Sequence, residues 1–415
     1  MIVKLKYFFT LLLISTSLVN CQQSEKVETN FKLGTDVLID EYLNLLSGKK
    51  VGLVINHTSV LSNGTHILDT LLLLGVNVSA IFSPEHGFYG DLERGKIIWD
   101  SEIENVPLYS LHGKTKKPTN DMIKDLDLIV YDIQDLGVRF YTYVSTLYYV
   151  LEASVENNVP MILLDRPNPN NGLKVGGPVL ESEFKSFVGL TEIPVLYGMT
   201  AGELAQLYMK EFILNSTSNF DLKIIKMKNW YRNMLWYNTG MEWILPSPNI
   251  PNPQTAIMYA ATCFLEGTNI SEGRGTAKPF LQVGAPFISS EDLISELNKF
   301  GYETFQMHPI SFTPKSIKGK TEKPKYENEI CNGILIEVID EMNFNSVQFG
   351  VNLIYAFYKL YPNQFEFKEE HFDLLAGTDQ FRKSILENKT PDYIINSWQA
   401  ELNYFKSKRE KYLLY

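Results

Sequence analysis

Through the first half of the chain, unbroken apolar runs of strand length alternate with stretches whose apolar residues recur every three or four positions. Lys49–Asn56 (KKVGLVIN), Val76–Ser83 (VNVSAIFS), Asp125–Ile133 (DLDLIVYDI), Val159–Asp165 (VPMILLD) and Phe220–Met227 (FDLKIIKM) read as strands. Thr65–Gly75, Tyr141–Asn158 and Thr200–Ile213 read as helices, the last opened by a capping box of Thr200 and Glu203. Strands that are apolar throughout, separated by helices, predict a parallel sheet covered on both faces. From about Asn249 the pattern changes. Glu291–Phe300, Ser346–Pro362, Thr378–Asn388 and Pro391–Tyr415 have helical spacing, and Cys331–Asp340 reads as a strand. The expected fold is therefore α/β: a Rossmann-like parallel-sheet domain over 33–248 and a smaller α+β domain over 249–415. The Pro-rich segment Leu245–Gln254 is the crossing between them.

The first residues follow a different logic. Lys4 and Lys6 precede the apolar run YFFTLLLISTSLV, and no acid occurs before Cys21. That is the charge and length pattern of a secretory leader, expected over 1–20. Cys21 stands where a bacterial lipoprotein accepts its lipid, followed by a polar tether over 21–32. The expectation is an exported protein of the cell envelope, touching membrane only through that lipid, or a secreted protein if cleavage occurs nearby.

The formal charge of −10 and the lack of a basic run argue against nucleic acid. With 23 Tyr and 24 Phe, many aromatics must lie in the core. Cys263 and Cys331 sit in apolar surroundings, and a chain of this size needs no disulfide to build a core. No glycine-rich dinucleotide or phosphate loop follows the first strand, no nucleophile elbow occurs, and no His or Cys spacing is diagnostic of a metal. No cofactor and no metal are expected.

In open parallel sheets, ligands bind at the carboxyl ends of the strands. Each predicted strand ends in polar, titratable residues. The first delivers Asn56 and His57; the second, Glu85 and His86 in SPEHG; the third, Asp132, Gln134, Asp135, Arg139 and Tyr141; the fourth, Asp165, Arg166 and Asn168. An aspartate at a strand end also caps helices and fixes turns, which is the plainer account of Asp132, Asp135 and Asp165. A second cluster, TCFLEGTNISEGRGTAKPF, offers Glu266, Glu272, Arg274 and Thr276 among glycines, a receptor suited to a carboxylate.

Together these motifs carry a resemblance. FSPEHGFYGD, YDIQDLGVRFYTY, LDRPNPN, WILPSPNIP, FLEGTNISEGRGTAKPF, LAGTDQFR and the closing KREKYLLY are similar to the NamZ-like exo-β-N-acetylmuramidases, from about Leu33 to Tyr415. The resemblance implies a Rossmann-like catalytic domain with an auxiliary domain. It also implies release of N-acetylmuramic acid from the non-reducing end of peptidoglycan fragments, with Glu85 of the PEHG motif as catalytic candidate.

The residue chemistry is compatible. Glycoside cleavage uses a proton donor and, as a rule, a second carboxylate. Glu85 is the expected donor, its pKa raised by a crowded pocket. His86 stands beside it, and Asp132, Asp135 or Glu272 is the expected partner unless the sugar's own acetamido group attacks. A lactyl carboxylate calls for an arginine fork, for which Arg274, Arg139 and Arg166 are candidates. Two other readings use the same residues: a hydrolase of wall peptides, and a non-enzymatic lipoprotein that captures wall fragments.

Overall fold

The computed structural model describes residues 30–93, 95, 96, 98–214 and 220–415. The expected leader, Cys21 and all but the end of the expected tether lie outside the described residues.

The main sheet contains β1 (Val51–Ile55), β2 (Val78–Ser83), β3 (Ser101–Ile103), β4 (Val106–Ser110), β5 (Leu128–Asp132), β6 (Met161–Leu164) and β9 (Leu222–Ile225). Across the sheet they run β3-β4-β2-β1-β5-β6-β9. All pairs are parallel except β3 with β4. The six parallel strands thus have the doubly wound order 3-2-1-4-5-6, with its reversal between β1 and β5. Alternate residues serve opposite faces. In β5, Ile129 and Tyr131 join one apolar core while Leu128 and Val130 join the other. This two-sided burial is why the strands read as continuous apolar runs.

The remaining strands are β7 (Gly176–Val179) and β8 (Pro194–Leu196), a small antiparallel pair, and β10 (Gln282–Ala285), β11 (Phe305–Phe312) and β12 (Cys331–Val338). The last three form an antiparallel sheet in the order β10-β12-β11. The larger core runs from one face of the main sheet into this second part, joining Tyr131 and Leu147 to Phe264, Ile334 and Phe349. Arg139 fastens the two parts. Its guanidinium donates to the carbonyls of Pro178, Ile193, Leu375 and Ala376 at 2.6–2.9 Å.

Several elements depart from the sequence expectation. The Pro-rich crossing turns directly into a helix, Pro253–Thr262, capped by Asn252. Nearly every residue of that helix is buried, so it has no polar stripe to betray it. The closing segment is two helices, Pro391–Ser397 and Gln399–Arg409, parted at Trp398. β4 was not legible because it alternates buried and half-buried residues and carries Pro107. Cys263 and Cys331 are both buried and form no disulfide.

Candidate active site

β2 is buried apart from the half-buried Ser79 and ends at Ser83; Pro84 then stops the ladder and the chain turns sharply. The Gly87 amide closes back on the Pro84 carbonyl at 3.1 Å. His86 and Gly87 both take left-handed backbone, at φ 72° and 77°. For His86 that conformation is strained, and such strain concentrates at functional sites. The turn swings Glu85 inward until it is only 6% exposed. Its Oε2 accepts the Thr142 hydroxyl at 2.6 Å and its Oε1 accepts the Gly95 amide at 3.0 Å. Thr142 precedes the helix Tyr143–Glu156, yet its hydroxyl caps no helix amide and serves Glu85 instead.

A residue absent from the strand-end reading completes this corner. β4 lies beside β2 in register, Ser110 opposite Ser83, and the Leu111 amide donates to the Ser83 carbonyl at 2.8 Å. Glu85 and His112 each follow their paired serine by two residues, so the two side chains meet. His112 Nε2 is 3.6 Å from Glu85 Oε1. Ser83 stands two residues before Glu85 and Ser110 two before His112, and that shared spacing was the available signal.

The electrostatics reverse one expectation. Burial pushes the Glu85 carboxyl up, but the nearby His86 and His112, the Thr142 hydroxyl and the Gly95 amide outweigh it. Its pKa is lowered, not raised. His86 is also lowered, chiefly by burial, and its Nδ1 lies 2.6 Å from the Leu92 carbonyl. That contact needs a proton on Nδ1.

The opposite wall is the glycine-rich segment. Gly273 and Gly275 have φ of 76° and 78°, and a Cβ on either would fall 2.5 Å from a backbone oxygen, so no other residue fits. The Thr276 hydroxyl closes the turn on the Gly273 carbonyl at 2.6 Å. The loop presents Arg274, whose Nε and Nη2 donate to Glu266 Oε1 at 3.1 and 2.8 Å. Glu272 lies 3.6 Å from Arg274 Nε, while its other oxygen accepts Lys325 Nζ at 3.0 Å. The guanidinium sits 4.9 Å from the centre of the Phe280 ring.

Between the walls is a cavity of about 40 Å³ lined by Glu85, His86, Tyr141, Thr142, Tyr259, Glu266, Arg274 and Phe280, among others. Glu85 and Glu266 are the two carboxylates of its lining. Glu266 and Arg274 also border a wider pocket of about 320 Å³ that includes Glu272, Lys323, Lys325 and Lys368.

The other strand-end residues lie outside this cavity and are engaged elsewhere. Asp132, proposed as catalytic, is fully buried and receives Arg166 Nε and Nη2 at 2.5 and 2.9 Å, with Thr35 at 3.0 Å. Arg166 is therefore no free fork, and neither is Arg139, which is spent on four carbonyls. Asp135 accepts the Gly137 amide at 2.8 Å and the Tyr197 hydroxyl. Burial raises its pKa to about 6. Asp165 anchors Thr200, Gly202 and the terminal Tyr415 hydroxyl at 2.7–2.9 Å, fixing a helix start and the chain end, and burial raises it to about 6. Asn56 holds the Thr58 amide and the Tyr143 hydroxyl, and His57 Nε2 contacts the Leu245 carbonyl at 2.8 Å. Gln134 donates to the Pro167 carbonyl and Asn168 to that of Met199. Among the described residues no three His, Cys, Asp or Glu side chains converge as metal ligands.

Comparison with known proteins identifies the family. Residues 51–254 match the family model described as exo-β-N-acetylmuramidase NamZ, N-terminal, and residues 257–415 match its C-terminal counterpart. The chain is 42% identical over 394 residues to the peptidoglycan β-N-acetylmuramidase NamZ of Bacillus subtilis (strain 168), covering 94% of this chain and 92% of that one. Two crystal structures of DUF1343 family proteins from Bacteroides fragilis are 34% identical, each covering 93% of this chain and 99% of the other, with TM-scores of 0.84 and 0.74. With both halves matched, the chain belongs to the exo-β-N-acetylmuramidase NamZ family.

Proposed function

We propose that this chain is a glycosidase that releases N-acetylmuramic acid from the non-reducing end of peptidoglycan fragments. The observation that carries the reading is one enclosed space holding a buried glutamate, a second carboxylate and an arginine, in a member of this family.

Glu85 is the general acid. It delivers its proton to the glycosidic oxygen as the bond to the anomeric carbon breaks, and so leaves as a carboxylate. Arg274 is the fork for the lactyl carboxylate of the muramic sugar, because Arg139 and Arg166 are committed elsewhere. Glu266, which now occupies that fork, is the second carboxylate, and an incoming lactyl group would release it from the guanidinium. Tyr141 and Tyr259 provide apolar walls. The inner cavity and the wider pocket share Glu266 and Arg274, so a sugar seated over the wider pocket can meet both walls.

The test is hydrolysis of para-nitrophenyl β-N-acetylmuramide beside the N-acetylglucosaminide, and of the N-acetylmuramyl-N-acetylglucosamine disaccharide by wild type and Glu85→Gln. Release from the muramide alone, with loss of disaccharide cleavage in the variant, is the expected result. An inert wild-type protein on all three sugars sinks the reading.

The Lys4/Lys6 leader and Cys21 support export and lipid attachment at the cell envelope. Metabolic labelling with a palmitate analogue, lost in Cys21→Ala, tests that proposal.

A further inference from the structure

In the proposed reaction the terminal sugar turns its lactyl carboxylate to Arg274 and its glycosidic oxygen to Glu85 on the facing wall. The leaving chain therefore continues past Glu85, away from the arginine loop. Aromatic and basic side chains stand on that side, outside the cavity. Val188 lines the cavity, and its neighbour Phe187 has its ring 5.7 Å from that of His112, whose Nε2 is 3.6 Å from Glu85 Oε1. Beside His112 stands Trp99.

The place of Trp99 follows from its neighbours. The chain over 98–100 runs beside 110–113, continuing the antiparallel pairing of β3 with β4. Asp100 accepts the Ser110 amide at 2.9 Å, and the Ile98 carbonyl would lie 2.4 Å from a Cβ on Gly113. Side chains alternate along such an extended stretch. Ile98 turns inward, its Cδ1 3.7 Å from where a Cβ on Gly87 would stand, in the turn that carries Glu85. Trp99 turns outward and is 67% exposed. Lys114 holds its ammonium 5.5 Å from the centre of the indole ring, and among the described residues no carboxylate pairs with it.

We propose that Trp99 and Lys114 form the receptor for the second sugar of the leaving chain, which is the next muramic residue. The indole plane lies under the apolar face of that ring, and the ammonium meets its lactyl carboxylate. The first leaving sugar, a glucosamine, bridges from Glu85 across His112 and Phe187. The inference rests on the reading of the chain as an exo-acting muramidase with Glu85 as general acid.

A single exposed apolar side chain is ordinary on a protein surface. Two features set this one apart: its place beside the Glu85 turn, on the leaving side, and the cation held next to its ring. Charge gives the cation a purpose. A muramic sugar without an attached peptide carries a carboxylate, so a chain of them is a polyanion, and a protein of formal charge −10 repels it as a whole. A lysine free of acidic partners offsets that repulsion where the chain passes.

The test compares kcat/KM for the N-acetylmuramyl-N-acetylglucosamine disaccharide and for the tetrasaccharide that repeats it. Wild type should favour the tetrasaccharide by about tenfold, through KM, and Trp99→Ala should bring that ratio close to one. Lys114→Gln should lower the ratio about threefold. It should have no such effect on a tetrasaccharide whose third sugar is glucosamine, which lacks the carboxylate. A wild-type ratio near one, or a ratio that survives Trp99→Ala, overturns the receptor and leaves the muramidase standing, because the disaccharide is still cut. A ratio that survives Lys114→Gln refutes the carboxylate contact. Wild-type protein inert on both sugars overturns the muramidase reading and the receptor with it. Should Trp99→Ala fail to fold, tryptophan emission decides. Tetrasaccharide added to Glu85→Gln protein should change the emission, and adding Trp99→Phe should abolish that change; an equal response with either residue refutes the receptor.

Discussion

Two carboxylates stand at the carboxyl edge of the same sheet, and their surroundings are opposite. Asp132 ends β5 at the crevice where ligands bind in doubly wound folds. There it is fully buried and receives both arms of Arg166 and the Thr35 hydroxyl, while Ser59 donates to its carbonyl. Glu85 follows β2 and is nearly as buried, but its partners are an amide, a hydroxyl and a histidine at 3.6 Å, and it borders a cavity. A charge closed within a complete ion pair has nothing left for a substrate. A charge held by weaker, exchangeable partners beside empty space can change its proton. The cavity beside Glu85 is thus displaced from the switch point, which is filled by the protein's own side chains.

The largest expected effect separates the two groups. Glu85→Gln should lower disaccharide turnover by about 10²–10⁴-fold with the melting temperature nearly unchanged. Asp132→Asn should do the converse, costing about 3–5 kcal/mol of stability because Arg166 is left buried without its counter-charge. Turnover per folded molecule would then be close to wild type. Parallel melting and single-turnover measurements check both, and an Asp132 variant that folds normally and is inactive would erase the distinction.

A smaller effect tests the facing wall. Arg274→Lys keeps the charge but loses the two-pronged geometry, so KM for muramic substrates should rise about tenfold while kcat changes less. Unchanged KM with collapsed kcat would remove Arg274 from substrate recognition.

The smallest effect concerns Asp135, a buried carboxyl of the structural kind. Burial raises its folded pKa to about 6 from 3.8. Its protonated form favours the fold, so its contribution is full below about 3.8 and is lost as pH rises through about 6. Asp135→Asn should therefore flatten the decline of stability across that window in denaturant titrations. Asp165, raised for the same reason, remains as the internal control.

Much of the scaffold was legible because the signals are local. The five apolar runs of the first half became β1, β2, β5, β6 and β9, and Thr200 with Glu203 forms the predicted capping box. Glu85 was legible from its Pro and Gly neighbours, and Arg274 from its glycines. The helix Pro253–Thr262 was not, since burial on all sides removes the periodicity that marks a helix. His112 was not, since β4 alternates buried and half-buried residues and carries a proline.

By itself the sequence determined where strands end and which polar residues stand there, because strand length and helical period depend on neighbours along the chain. Only the tertiary structure decided which of those polar groups cancel one another. Asp132 meets Arg166 across 34 positions and Thr35 across 97, and Arg139 reaches Ala376 across 237. Glu85 meets Thr142 across 57, with His112 brought in by strand register. Charge compensation is short-ranged in space and indifferent to distance along the chain. A motif can therefore announce a titratable group, while packing determines whether that group is spent on the fold or left for chemistry.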